Sequence, residues 1–317
     1  MTGWLALASC AATLLGAGSA FAQDRPPPRP FEATTGFFYR TAVFARLNPL
    51  GLFVDARAGM RWRLFNAPDR PVILQNTYAS IGASVVASPA FVRPGIVAEV
   101  QPVQMLNLQV SYEPVVQWFG TFGNLQTFDD AHANFSDAGL SRNRDVAGTV
   151  QTARGWQLSL QATLQTRIGP WFALRDTVRG VYANYATSTL TSGHTRLYYD
   201  PSSDVLALTD GWVVTNDLDA IVRITRYRLN VGVRYTVVAP LLGSAGADDV
   251  ATTTHRVGPL VSYTFYERDH GWFNAPTVYV MAQWWLVHPW RTGGPSPDAT
   301  SQAVPMFVAG FSFRGDA

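Results

Sequence analysis

The sequence predicts an all-β fold, an antiparallel transmembrane β-barrel of about 12 strands, and three observations carry that expectation. Apolar and polar residues alternate with period two in segments of roughly ten residues, the pattern of a strand between an apolar and a polar medium. The links between segments sort into short and long ones, as the two ends of such a barrel require. After residue 22, no uninterrupted apolar run approaches the roughly 18 residues of a membrane helix.

The segment LFVDARAGMRWRL, residues 52 to 64, shows the alternation most plainly. Leu52, Val54, Ala56, Ala58, Met60, Trp62 and Leu64 fall on one face, and Phe53, Asp55, Arg57, Gly59, Arg61 and Arg63 on the other. A helical period would mix these two sets. LNLQVSYEPVVQW, WQLSLQATLQTRI and RLNVGVRYTV repeat the pattern, with Gln, Ser, Asn, Thr and Arg opposed to Leu, Val, Tyr and Trp.

In chain order, residues 1–22 read as a signal peptide, because an apolar run ends in Ala20-Phe21-Ala22, the small-x-small pattern of a secretory cleavage site. Leu7-Ala8-Ser9-Cys10 leaves open the alternative of a lipoprotein box. Cys10 is the single cysteine, so cleavage after Ala22 leaves neither a disulfide nor a thiolate site. Residues 23–34 form a Pro-rich periplasmic segment, DRPPPRP at 24 to 30 being an extended spacer. Residues 35–317 hold the barrel, with strands expected near 35–47, 51–65, 75–87, 91–101, 104–119, 153–168, 171–186, 212–225, 227–238, 254–266, 276–288 and 303–313. Helices have almost no claim on the chain, and parity turns Asp176 toward lipid, which predicts a bulge in the seventh strand.

The links at Gly169-Pro170 and Arg226 are tight, whereas 120 to 152, 187 to 211, 239 to 253 and 289 to 302 are long and rich in Gly, Ser, Asp, Thr and Pro. With both termini periplasmic, every long loop falls on the outer side. The same topology divides the lipid-interface aromatics into two girdles. Trp118, Trp156, Tyr235 and Trp284 lie toward the outer strand ends, and Trp62, Phe311 and Phe313 toward the inner ends.

On these features the chain resembles bacterial outer-membrane β-barrel proteins of porin-like architecture. The final strand, VPMFVAGFSFRGDA, carries Phe311 and Phe313 at alternate positions, as the last strand of such proteins does, although four residues follow Phe313. The resemblance implies the outer membrane as location and outer-membrane lipids as surroundings. It leaves the activity open, since the architecture hosts many functions.

All 24 basic residues are Arg, and the formal net charge of +2 favours no particular partner. Parity turns Arg57, Arg61, Arg63, Arg93, Arg175, Arg179, Arg223, Arg228 and Arg234 toward the lumen, together with Asp55, Glu99, Glu113, Asp217 and Asp219. If the strands flanking Arg226 pair about it, Asp219 lies opposite Arg234 as a cross-strand ion pair. Guanidiniums left unpaired would favour small anionic solutes in a narrow pore, while full pairing would instead give a network that holds a closed barrel. Loop 120 to 152 either folds inward to constrict the pore or stays at the surface.

No G-x-S-x-G, H-E-x-x-H or phosphate-binding glycine loop is present, so no enzyme, catalytic residue, metal or cofactor is expected. A lipid-modifying enzyme would have to use His132, His194, His255, His270 or His288, of which His255 and His288 lie near the outer rim. A third reading is a non-conducting component of a secretion, polysaccharide-export or motility complex with an unknown envelope partner. The inward Arg form no surface stripe, which argues against nucleic acid.

Overall fold

A computed structural model describes residues 35–65, 71–74, 76–120, 125–146, 149–150, 152–187, 197–243, 252–268, 271–292 and 303–316. The signal segment with Cys10, the Pro-rich stretch, His194 and His270 lie outside them. Twelve strands close into one antiparallel barrel. They are β1 (Gly36–Leu47), β2 (Gly51–Arg63), β3 (Tyr78–Ala87), β4 (Phe91–Val103), β5 (Leu106–Trp118), β7 (Ala153–Ile168), β8 (Phe172–Thr187), β11 (Asp210–Ile224), β12 (Leu229–Leu241), β13 (Thr254–Thr264), β14 (Gly271–Val287) and β15 (Met306–Asp316).

Three shorter strands, β6 (Thr127–Phe128), β9 (Leu197–Asp200) and β10 (Val205–Leu208), form a separate sheet in the order β10-β9-β6. The one α-helix among the described residues is α1 (Asp137–Arg144).

The alternation decides which way each strand faces. Leu52, Ile81, Ile96, Leu164 and Val233 stand half-exposed around the barrel, a lipid-facing apolar belt, while their polar neighbours line the interior. β1 closes the ring by pairing with β15 from Phe38↔Asp316 to Leu47↔Phe307. The three described residues after Phe313 therefore do not trail free. Arg314, Gly315 and Asp316 are strand residues within the seam.

The even strand number puts the start of β1, the end of β15 and the connection from β2 to β3 at one end of the barrel, with the connections after β5, β8, β12 and β14 at the other, here termed the mouth. Three local features depart from simple parity. A bulge on β5 puts one extra residue against both neighbours, between Glu113 and Val116 in the pairing with β7 and opposite the stretch from Val92 to Ile96 of β4. An extra residue in one strand reverses which side chains face inward beyond it. β14 begins at Gly271, ahead of the expected 276, because Asn274 stitches the irregular stretch together: its Oδ1 accepts from the Arg268 and Ala275 N–H groups at 2.8 Å. The bulge expected at Asp176 does not occur, since β8 pairs without a register break on both sides.

Candidate functional site: the barrel interior and the loop layer at its mouth

On one wall of the lumen Asp219 is the hub. Register places it opposite Arg175 on β8 and Arg234 on β12. Its carboxylate accepts from Arg175 Nε and Nη2 at 2.9 and 2.6 Å, and from Arg234 Nε and Nη2 at 2.6 and 2.9 Å. Asp217, two residues back on the same face, accepts from Thr236 Oγ1 at 2.6 Å and lies 3.7 Å from Arg234. Two carboxylates thus neutralise two guanidiniums.

Around β2, β4 and β5 the polar side chains are engaged differently. Arg57 binds Asp55 at 3.2 Å and donates to Gln109 Oε1 at 2.6 Å. Glu99 accepts from the Tyr78 hydroxyl and from Asn107 Nδ2. The Arg61 guanidinium lies 4.5 Å from the centre of the Phe38 ring and 4.8 Å from that of Tyr78, a cation–π sandwich in place of an ion pair. Arg93 covers the Phe91 ring at 4.7 Å and donates to Gln157 at 3.1 Å. Glu113 is buried, with Ser111 Oγ at 3.4 Å from one carboxylate oxygen.

Besides Arg61, three inward arginines have no side-chain hydrogen bond or ion pair among the described residues: Arg40, Arg179 and Arg223. All three are exposed, which on inward positions means exposed to lumen water. Arg63 stands at the end of β2 beside the start of β1, its backbone N–H bound to Thr35 Oγ1. Arg228 is a correction to the lumen set. It takes φ +51° in the turn before β12 and donates to the Phe265 carbonyl at 2.8 Å, so it belongs to the rim opposite the mouth. Parity alone cannot show that the strand has not yet begun there.

The mouth is covered. β9 and β10 lay Tyr198, Val205 and Ala207 against the upper inner wall, where they bury Phe91, Val116, Trp118, Ala183, Tyr185, Val213 and Val238. The other side of the same sheet packs with Phe135 and Leu140 of the loop that follows β5. That loop also holds α1, capped by Ser136 Oγ, which accepts from Gly139 N–H at 3.1 Å. The described part of loop 120 to 152 that carries Phe135 and Leu140 therefore packs against this sheet. Its helix went unread because it is short, polar and inside a loop.

Above this sheet Arg291 joins four chain segments. Nε donates to Asp204 Oδ2 at 2.8 Å and Nη2 to Asp204 Oδ1 at 3.3 Å, in the β9–β10 turn. Nη1 and Nη2 reach the Asp137 carboxylate at the start of α1 at 3.1 and 3.0 Å. Nη1 also donates to Asn48 Oδ1, in the β1–β2 turn, at 2.6 Å. All five guanidinium N–H groups are used.

His288 completes the cluster. Its Nδ1 accepts from the Trp290 and Arg291 N–H groups at 3.1 Å, leaving Nε2 to face the Asp204 carbonyl at 3.2 Å. Arg46 ties the same hairpin to the rim through the Pro201 and Ser202 carbonyls.

Burial alone would raise the Asp204 carboxyl, but the Arg291 guanidinium and the His288 ring outweigh it and hold it well below the usual carboxylate range. Burial, with Asp204 next to it, pushes the Tyr199 phenol well above its ordinary value. Arg291 and Asp204 escaped the sequence reading because neither stands in a motif and they lie 87 positions apart.

On the outer face, Tyr112, Trp156, Tyr182 and Trp212 form a row with successive ring centres 5.3 to 6.0 Å apart. Tyr235 bonds His255 Nδ1 at 2.6 Å, and Trp284 is exposed. Toward the opposite end Trp62 and Phe311 are exposed, and Phe313 packs 4.8 Å from Phe273. Trp118 is a correction to the lipid-interface set: the β5 bulge turns it inward, where it is 3% exposed against Phe91 and Tyr185. Asp176 does face outward, within the apolar belt, and accepts from Asn216 Nδ2 at 2.6 Å. Of the described histidines, His132 pairs with exposed Asp130 at 2.9 Å, His255 with a tyrosine and His288 with the Asp204 cluster.

No protein-family model and no curated protein matches the chain. Among solved structures it is similar to the outer membrane protein Omp33 of Acinetobacter baumannii, at 10% identity over 89% of this chain and 98% of that one, with a TM-score of 0.39. An outer membrane channel from Pseudomonas putida F1 is similar at 12% identity, over 92% and 99% of the two chains, with a TM-score of 0.40. The NanC porin is similar at 7% identity, over 88% and 99%, with a TM-score of 0.39. At such scores the likeness carries no argument of its own. The porin-like, outer-membrane type of barrel stands on the closed register of twelve strands and the apolar belt around them.

Proposed function

We propose that this chain is an outer-membrane passage for small solutes whose lumen guanidiniums favour anions. The observation that carries the reading is the unpaired state of Arg40 and Arg179, both exposed on the lumen side with no carboxylate bound to either among the described residues. A guanidinium keeps its charge at all relevant pH and offers several donors to a carboxylate or phosphate. A ring of about twelve strands falls between eight-stranded barrels, filled by their own side chains, and the open channels of about sixteen strands. In this reading residues 1–22 direct export, both termini are periplasmic and the mouth faces outward among outer-membrane lipids.

Conductance and reversal potential of the refolded protein in a planar bilayer under a salt gradient test this reading. Discrete steps with anion preference, weakened in an Arg40→Gln, Arg179→Gln double variant, are the expected result. Cation preference, or a preference untouched by the double variant, would overturn the anion reading. The covered mouth favours a second reading, a non-conducting structural or assembly component. Permanent silence of folded, inserted protein, with an envelope protein co-purifying, would select it.

A further inference from the structure

We infer that the loop layer over the mouth is a lid held shut by the Arg291 cluster, and that solutes pass only when this latch opens. The inference rests on the passage reading above and adds its regulation. Four connections that are distant in sequence converge on one side chain: the β9–β10 turn through Asp204, the α1 start through Asp137, the β1–β2 turn through Asn48, and the segment after β14 that carries Arg291 itself.

The side chains of Arg291, Asp204 and His288 are fully buried, whereas that of Asp137 is 43% exposed, so the cluster has a wet edge from which it can come apart. Removing one member leaves the others buried without compensation, which makes the arrangement close to all-or-none. The parts it holds are small. A sheet of two- and four-residue strands does not stand alone and has to be pinned to the rim. Apolar residues could have filled the same space at no desolvation cost, whereas a buried ion cluster suits a contact with two discrete states. Beneath the lid lie Arg179 and the Asp219 hub, so lifting β9 and β10 exposes the charged lumen to the mouth.

Asp204→Asn removes the charge while suiting the backbone, because Asp204 has φ +60° and asparagine tolerates that region. Asp137→Asn weakens the cluster from its exposed edge, in case the buried change prevents folding. Each variant is refolded and its barrel assembly checked by protease resistance of the strands. It is then read in two ways: by protease cutting within 197 to 208, and by single-channel open probability.

The expected result is faster cutting of the lid together with an open probability raised on the order of tenfold. A folded barrel whose lid stays uncut in both variants would overturn the latch and leave the passage reading standing. Equal open probability in wild type and lid-cut variants, both conducting, would overturn the gating role alone. A cut lid with no conductance in any variant would overturn the gate and the passage together.

Discussion

Arg291 and Asp204, 87 positions apart, meet at 2.8 Å in a fully buried contact that joins the segment after β14 to the β9–β10 turn. Asp204 titrates below its ordinary value, and a carboxyl depressed on folding contributes stability above its unfolded pKa, lost as pH falls through the folded one. Lid protection against protease is therefore constant from pH 7 down to about 4.5 and is lost only below about 4. At the alkaline end Tyr199, raised on folding, costs stability as pH climbs above about 10. A pH series of limited proteolysis within 197 to 208 checks both limbs.

Asp219 carries two arginines on a side chain that is 1% exposed. Its replacement by Asn leaves Asp217 as the one carboxylate beside Arg175 and Arg234, and should lower unfolding free energy by about 3 kcal/mol. The same variant should strengthen anion preference, because one more positive charge in the lumen is left unbalanced. Denaturant unfolding monitored by tryptophan fluorescence measures the first effect, and reversal potential the second.

Trp118 and Trp284 separate an inward from an outward aromatic. Trp118→Ala removes a ring packed between Phe91 and Tyr185 and should cost about 3 kcal/mol. Trp284→Ala alters only a lipid contact, and its effect should be well under half of that. Fluorescence quenching by brominated lipid gives an independent check: it should fall in Trp284→Phe and stay unchanged in Trp118→Phe.

Asp176 lies on the outer face, opposite Leu164 on β7 and Leu218 on β11. A carboxyl in hydrocarbon is unfavourable even when bonded to Asn216, so Asp176→Leu should stabilise the barrel by about 1 kcal/mol. Unfolding of both forms in lipid vesicles measures the difference. Destabilisation by the substitution would show that this face is covered by something other than lipid.

Most of the barrel was legible beforehand because alternation is a local property that neighbouring strands do not alter. Residues 52 to 64 face as their parity requires, and Asp219 meets Arg234 because one tight turn between β11 and β12 sets the register. Trp118 was misread because a bulge is decided by the pairing of β5 with β4 and β7, and one extra residue reverses every side chain beyond it. Arg228 was misread because a left-handed turn delays the start of β12 to Leu229, which parity cannot show.

The sequence by itself determined the strand count and the lipid-facing belt, since each follows from spacing within a dozen residues. Only the tertiary structure decided which arginines lack a bonded partner, that Asp176 remains outside, and that Arg291, Asp204, Asp137 and Asn48 meet in one cluster. Those outcomes depend on contacts between segments far apart in the chain, and no local pattern encodes them.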